Sequence, residues 1–116
     1  MANAILSVKA TERSTYVINA SFFDENGVAV IPVSIKWSLS TPGGAIINSR
    51  SGVVILVPAV SVDVVLSGLD LAFLSGEQRE ARRIFTVECT YNSVLGLGLP
   101  LNASAYFVIK DLTIIT

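Results

Sequence analysis

The chain has 116 residues, 52% of them apolar and only 15% charged, with eight basic and nine acidic side chains giving a net charge of −1. That length suits one domain able to bury a single core. The near-neutral balance lacks the concentrated positive field that nucleic-acid binding needs, and low charge with many β-branched residues is the opposite of a disordered composition.

The start, MANAILSVKATERS, has no basic segment followed by a long apolar run, so no secretory signal is expected. Tyr16, Ile18, Ala20 and Phe22 then alternate with Val17, Asn19 and Ser21, the period-two pattern of a half-buried strand. Asp24-Glu25-Asn26-Gly27 supplies a turn. The next strand, PVSIKWSLS, puts Val33, Ile35, Trp37 and Leu39 on one face and serines and Lys36 on the other. Thr41-Pro42-Gly43-Gly44 is a second turn, and Ala45 to Asn48 reads as a short strand.

Val53 to Val57 is uniformly apolar, with Pro58 ending that strand or placing it at an edge. Ser61 to Ser67 alternates again, setting Val62, Val64 and Leu66 on one face. A single short helical turn fits near 69–75. The charged run Glu77 to Arg83 reads as a solvated loop leading into a strand. In that strand Phe85, Val87, Cys89 and Tyr91 share a face. Asn92 to Pro100 reads as a glycine-containing connection, and a last strand aligns Leu101, Ala103, Ala105, Phe107 and Ile109.

Seven or eight short strands with regularly spaced turns predict an all-β fold, an immunoglobulin-like β-sandwich without a disulfide, since Cys89 has no mate. The expected core is Phe22, Val33, Ile35, Trp37, Leu39, Val64, Leu66, Phe85, Val87, Cys89, Phe107 and Ile109. One domain spans 1–116, with candidate contact arms at 1–10 and 112–116. The uncharged stretch Cys89 to Ile109 is interrupted by Gly-Leu-Gly-Leu-Pro, and Val53 to Val57 is too short and is followed by Pro58. A membrane helix of ~20 apolar residues is therefore not expected.

Catalytic and metal chemistry find little material. The chain has no histidine, which removes the Ser-His-Asp triad, the Cys-His dyad and a typical zinc site. Cys89 shares a face with Val87 and Tyr91 and reads as an inert core thiol. Asp24 and Glu25 sit adjacent in a turn, without the further oxygens an ordered calcium loop supplies. The expectation is a non-enzyme with no catalytic residues, no cofactor and no metal.

What stands out is apolar surface. Between Asn26 and Gly76 the only charges are Lys36, Arg50, Asp63 and Asp70. Apolar residues open the chain (Ile5, Leu6), close it (Ile114, Ile115) and fill the late connection (Val94, Leu95, Leu97, Leu99), and these eight are the candidate interface.

The succession TERSTYVINASFFDENG, IKWSLSTPGGAIIN, VLSGLDL, RRIFTVECTYNS and LNASAYFVIKDL resembles small bacteriophage proteins with an immunoglobulin-like β-sandwich, from about residue 11 to residue 112. The resemblance implies a structural virion component made in the host cytoplasm: a head decoration, a neck or head–tail element, or a tail accessory. Its partners would be other virion proteins in a homo- or hetero-oligomeric assembly, with neither nucleic acid nor membrane. It brings no catalytic residues. The alternative is a binding module displaying loops to a carbohydrate or host surface.

Overall fold

The strand alternation folds into two packed sheets. The structure, a computed structural model, describes residues 4–6, 8–77 and 79–112, residues 4 and 5 by their backbone alone. Its strands are β1 (Ala4–Ile5), β2 (Ala10–Thr11), β3 (Thr15–Ser21), β4 (Ser34–Ser40), β5 (Val53–Val54), β6 (Ser61–Ser67), β7 (Glu80–Ser93) and β8 (Gly96–Lys110).

The large sheet runs β1-β8-β7-β4-β5. Farther along β8, β2 pairs with it as β1 does, and both run parallel to it, so the sheet is mixed. The small sheet is the antiparallel pair β3–β6. The chain is therefore the all-β sandwich its periodicity predicts. Among the described residues no helix is long and apolar enough to cross a membrane.

The core lies between the sheets. Ile18, Phe22, Val64 and Leu66 of the small-sheet side meet Ile35, Trp37, Leu39, Phe85, Phe107 and Ile109 of the large sheet, all buried. Tyr16 stacks on Phe107 across the two sheets, with ring centroids 4.9 Å apart. Trp37 takes Phe85 as its ring partner at 5.6 Å, a neighbour on the adjacent strand of its own sheet. Fully burying one such ring stabilises the fold by roughly 3 kcal/mol.

Several expectations need correction. Val33 is 57% exposed, not core. Its N–H donates to the Thr90 carbonyl, one residue out of the Ser34↔Thr90 register, so the alternation slips just before β4 and Pro32 is buried in its stead. Ala45 to Asn48 is not a strand. A single bridge links Ser40 to Ile46, and Asn48 and Ser49 take positive φ, which breaks any ladder. The Val53 strand stops at Val54, leaving Leu56 and Val57 exposed. The helical turn is a 3-10 turn at Gly68–Leu71.

Asn92 to Pro100 is not a loop either. β7 and β8 stay paired to Tyr91↔Leu99 and Ser93↔Gly96 and turn on Val94-Leu95 alone. Arg83, placed in a solvated loop by the sequence reading, is wholly buried within β7. It lies at the same parity as Phe85 and Val87, so the strand geometry carries it inward.

Two buried charges hold the small helical turn and the entry to β7. Asp70 accepts from Arg50 Nε at 2.8 Å, Asn48 Nδ2 at 2.9 Å and the Ser67 backbone at 3.1 Å. Burial raises its pKa, but those three hydrogen bonds and the Arg50 charge outweigh it and hold the carboxyl below its ordinary value. Arg83 grips Glu77 with both terminal nitrogens and also donates to the Ala72 and Arg82 carbonyls. The Arg83 hydrogen bonds, with the Leu74 N–H and the Arg83 charge, hold the Glu77 carboxyl low against the opposing effect of its burial.

Candidate functional site

Apolar groups are left uncovered after β5, at Leu56 and Val57, and at two features that adjoin β8: the tip of the β7–β8 hairpin and the open side between β3 and β8.

The hairpin forms because both strands alternate over a dozen residues and a turn closes them. β4 accompanies β7 only as far as Thr90. Beyond Tyr91, itself buried, no other strand among the described residues pairs with the hairpin, and the molecule is drawn out to 53 Å against 24 and 23 Å in the other directions. At its base the Tyr91 hydroxyl donates to a Glu25 carboxylate oxygen at 2.9 Å, tying the Asp24 turn to the hairpin. That carboxylate, with some burial, raises the Tyr91 phenol above its ordinary pKa. Near the tip the register slips between Tyr91 and Ser93. Gly98 takes φ +65 there and its N–H donates to Asn92 Oδ1 at 2.9 Å. A side chain at position 98 would strain that backbone.

The tip is apolar in a place where turns are usually polar. Val94 is 96% exposed, Leu97 83% and Leu95 71%, while Leu99 is half-buried. No residue from Cys89 to Ile109 carries a formal charge. Exposed aliphatic clusters of this kind mark contact surfaces in folded proteins.

The open side arises because, among the described residues, the small sheet has two strands. Phe22 N–H donates to the Val60 carbonyl and Gly68 N–H to the Ser14 carbonyl. In the constant register between them, even-numbered residues of β3 bond to β6, and Thr15, Val17, Asn19 and Ser21 turn their backbone groups away. Among the described residues no strand lies on that side of β3. Across the gap, among the described residues, β1 pairs with β8 at Ala105 and Tyr106.

A slot runs between these two rims. One part, about 200 Å³, is lined by Leu6, Ile18, Ala20, Phe85, Ala103 and Ala105 among others. It continues past Val87, Cys89 and Leu101 into a smaller recess of about 70 Å³. A wider groove of about 470 Å³ follows the free edge of β3 past Leu6 and Val8. No lining residue of the three carries a formal charge. Small residues make the slot: Ala20, Ala103 and Ala105 stand where larger side chains would close the sandwich. Leu101, Ala103 and Ala105 are accordingly only half-buried, though their alternation points them inward.

The exposed edge of β8 is blunted. Thr90, paired with Pro100, turns its carbonyl to Val33 just before β4, so Pro100 faces away from β7 toward the free edge, where it offers no N–H.

Of the eight candidate interface residues, Val94, Leu95 and Leu97 come together at the tip, with Leu99 just behind. Leu6 packs against its own core and lines the slot. Ile5 pairs by its backbone with Tyr106, its side chain lying outside the described residues, as do Ile114 and Ile115. The N-terminal segment, a candidate arm, thus contributes β1 and β2 to its own sheet, and Ala10 is buried. The slot itself escaped the sequence reading. Its only sequence trace is the run of small residues at inward positions of β8, Ala103 and Ala105.

Cys89 and Asp24 each have a structural partner. Burial pushes the Cys89 thiol up to about 11, and its Sγ faces the Leu101 carbonyl at 3.0 Å. Asp24 Oδ1 accepts from the backbones of Asn26 and Val28, closing its own turn. No group of three or more histidine, cysteine or acidic side chains fit for a metal occurs among the described residues. Comparison of the chain with protein-family models, with curated proteins and with solved structures finds no match.

Proposed function

We propose that the chain is a non-enzymatic structural subunit of a bacteriophage virion, a head decoration, neck or tail accessory, that works by packing against other virion proteins. The observation that carries the assembly role is the hairpin tip. Val94, Leu95 and Leu97 are held out on a paired β-ladder, away from the core that could have buried them. Covering one such side chain favours association by about 1.5–3 kcal/mol, so a tip of three rewards a partner and is costly without one. The outward Val17↔Val65 pair on the small sheet adds apolar surface framed by serines, Asn19 and Asp63 rather than by dense charge. The virion as the setting rests on the resemblance of the strand succession to small phage sandwich proteins.

The alternative, a module displaying loops to a carbohydrate, has less behind it. Sugar readers present clustered loop aromatics; Phe73 is half-buried against the core, which leaves Phe23, beside the Asp24 turn, as the exposed aromatic among the described residues. The test is sedimentation of a native lysate of the source with this chain followed by mass spectrometry. Co-sedimentation with particles at fixed stoichiometry is the expected result. Recovery as a free, monodisperse species rejects the proposal.

A further inference from the structure

The tip and the slot belong to one chain and match each other. The tip offers uncharged aliphatic side chains on a narrow two-stranded ladder; the slot is an uncharged cleft between two strand edges, floored by aliphatic and aromatic side chains. Neither places a charge against the other, so contact leaves no buried ion unpaired.

A chain cannot satisfy itself in this way. Leu101 lies at the slot, and Leu97 lies four residues beyond it on the same strand, about 13 Å farther out at roughly 3.3 Å per residue. Folding the tip back would break the β7–β8 ladder. Plain addition of a strand to β8 is also discouraged, because Pro100 lacks an N–H and the Gly98 N–H is already held by Asn92. At the β8 rim contact through side chains remains, while the free edge of β3 still offers the backbone groups of Thr15, Val17, Asn19 and Ser21.

The geometry points to head-to-tail self-association, in which the Val94-Leu95-Leu97 tip of one copy enters the slot of the next between β3 and β8, at Ala20, Ala103 and Ala105. This deepens the assembly role proposed above and rests on it. Two different surfaces make the contact, so repetition closes a ring, the smallest being two copies that exchange tips, or extends a filament. The slot's alanines then act in assembly, since larger residues there would fill the sandwich and leave the tip no receptor.

Sedimentation velocity on the purified full chain tests this, with two complementary variants. Leu95→Asp with Leu97→Asp removes the tip and keeps the slot; Ala103→Trp fills the slot and keeps the tip. The wild type is expected to associate with increasing concentration, and each variant alone to associate at least tenfold more weakly. A one-to-one mixture of the two variants is expected to form a dimer and no larger species, because one intact tip meets one intact slot. If Ala103→Trp does not fold, Ala20→Leu fills the opposite rim.

A wild type that stays monomeric throughout would overturn the proposal. So would slot variants that associate as the wild type does, since the tip would then dock elsewhere. Association that appears only after removal of residues 1–3 also overturns it, by making the chain's own N-terminus the occupant. Self-association and incorporation into particles are separate readouts. Tip and slot variants that enter particles normally sink this contact and leave the structural role standing, whereas self-association without any particle sinks the virion setting instead.

Discussion

Arg83 and Glu77 meet through two parallel hydrogen bonds, Nη2 to Oε1 at 2.7 Å and Nη1 to Oε2 at 2.8 Å, with the guanidinium completely buried and the carboxylate one-quarter exposed. Arg83 Nε has no partner among the described residues. The pair ties the chain before β7 to that strand's inner face. A buried cation with one dominant partner is sensitive to the loss of that partner. Glu77→Ala should cost about 3–5 kcal/mol of unfolding free energy in urea, because it strands the guanidinium in the core. Arg83→Met should cost less, since Glu77 can hydrate and the methionine fills much of the space. Equal losses for the two would show that packing, not charge, dominates.

Acid should weaken the fold through the same groups. Glu77 and Asp70 both have pKa values lowered below their ordinary 4.5 and 3.8. Such carboxylates contribute stability that is present above their unfolded values and lost as the pH falls through the lowered ones. Unfolding free energy should therefore be flat near pH 6 and decline below about pH 4.5. Glu77→Gln should be less stable at neutral pH and show a shallower decline, read from denaturant curves at stepped pH.

Cys89 should be silent toward thiol reagents in the folded protein. Its pKa of about 11 leaves almost no thiolate near neutrality, and the side chain is buried. The rate of reaction with a chromogenic disulfide should match the rate of unfolding and rise with denaturant. Because the thiol's pKa is raised, its contribution to stability is present below the ordinary value of 9.0 and is lost as the pH climbs toward 11. Fast labelling of the native protein at pH 7 contradicts this.

Pro100 should matter for solubility more than for stability. Pro100→Thr restores an N–H to the bare edge of β8, beside an uncharged strand, and should promote strand-to-strand aggregation. Light scattering on warming should detect it at a lower temperature than in the wild type, with the unfolding midpoint in urea moved little. An unchanged scattering onset would mean that the edge is protected by something other than the proline.

The two-residue period was enough to place β3, β4 and β6 and nearly all of the core, because apolar burial on one face of a strand writes itself directly into alternation. Ser61–Ser67 is bounded as the sequence reading has it. The same alternation, extended one step back from Phe85, points Arg83 inward. It was misread because charge argued for solvent, and only the three-dimensional placement of Glu77 and the Ala72 carbonyl makes a buried guanidinium tenable. Val33 differs in the opposite sense: the alternation slips by one residue just before β4, which buries Pro32 in its stead, and no local pattern records that slip.

The sequence by itself determined the all-β class, the inward faces and an unusual store of uncharged apolar residues, since these follow from side-chain period and composition. Tertiary structure decided where that apolar store lies. Long-range pairing carries β7 and β8 past the end of β4 and so projects the leucines. A small sheet of two strands among the described residues leaves Ala20, Ala103 and Ala105 facing an open slot. Both outcomes depend on which strands run out of partners, a property of the whole sheet and not of any segment within it.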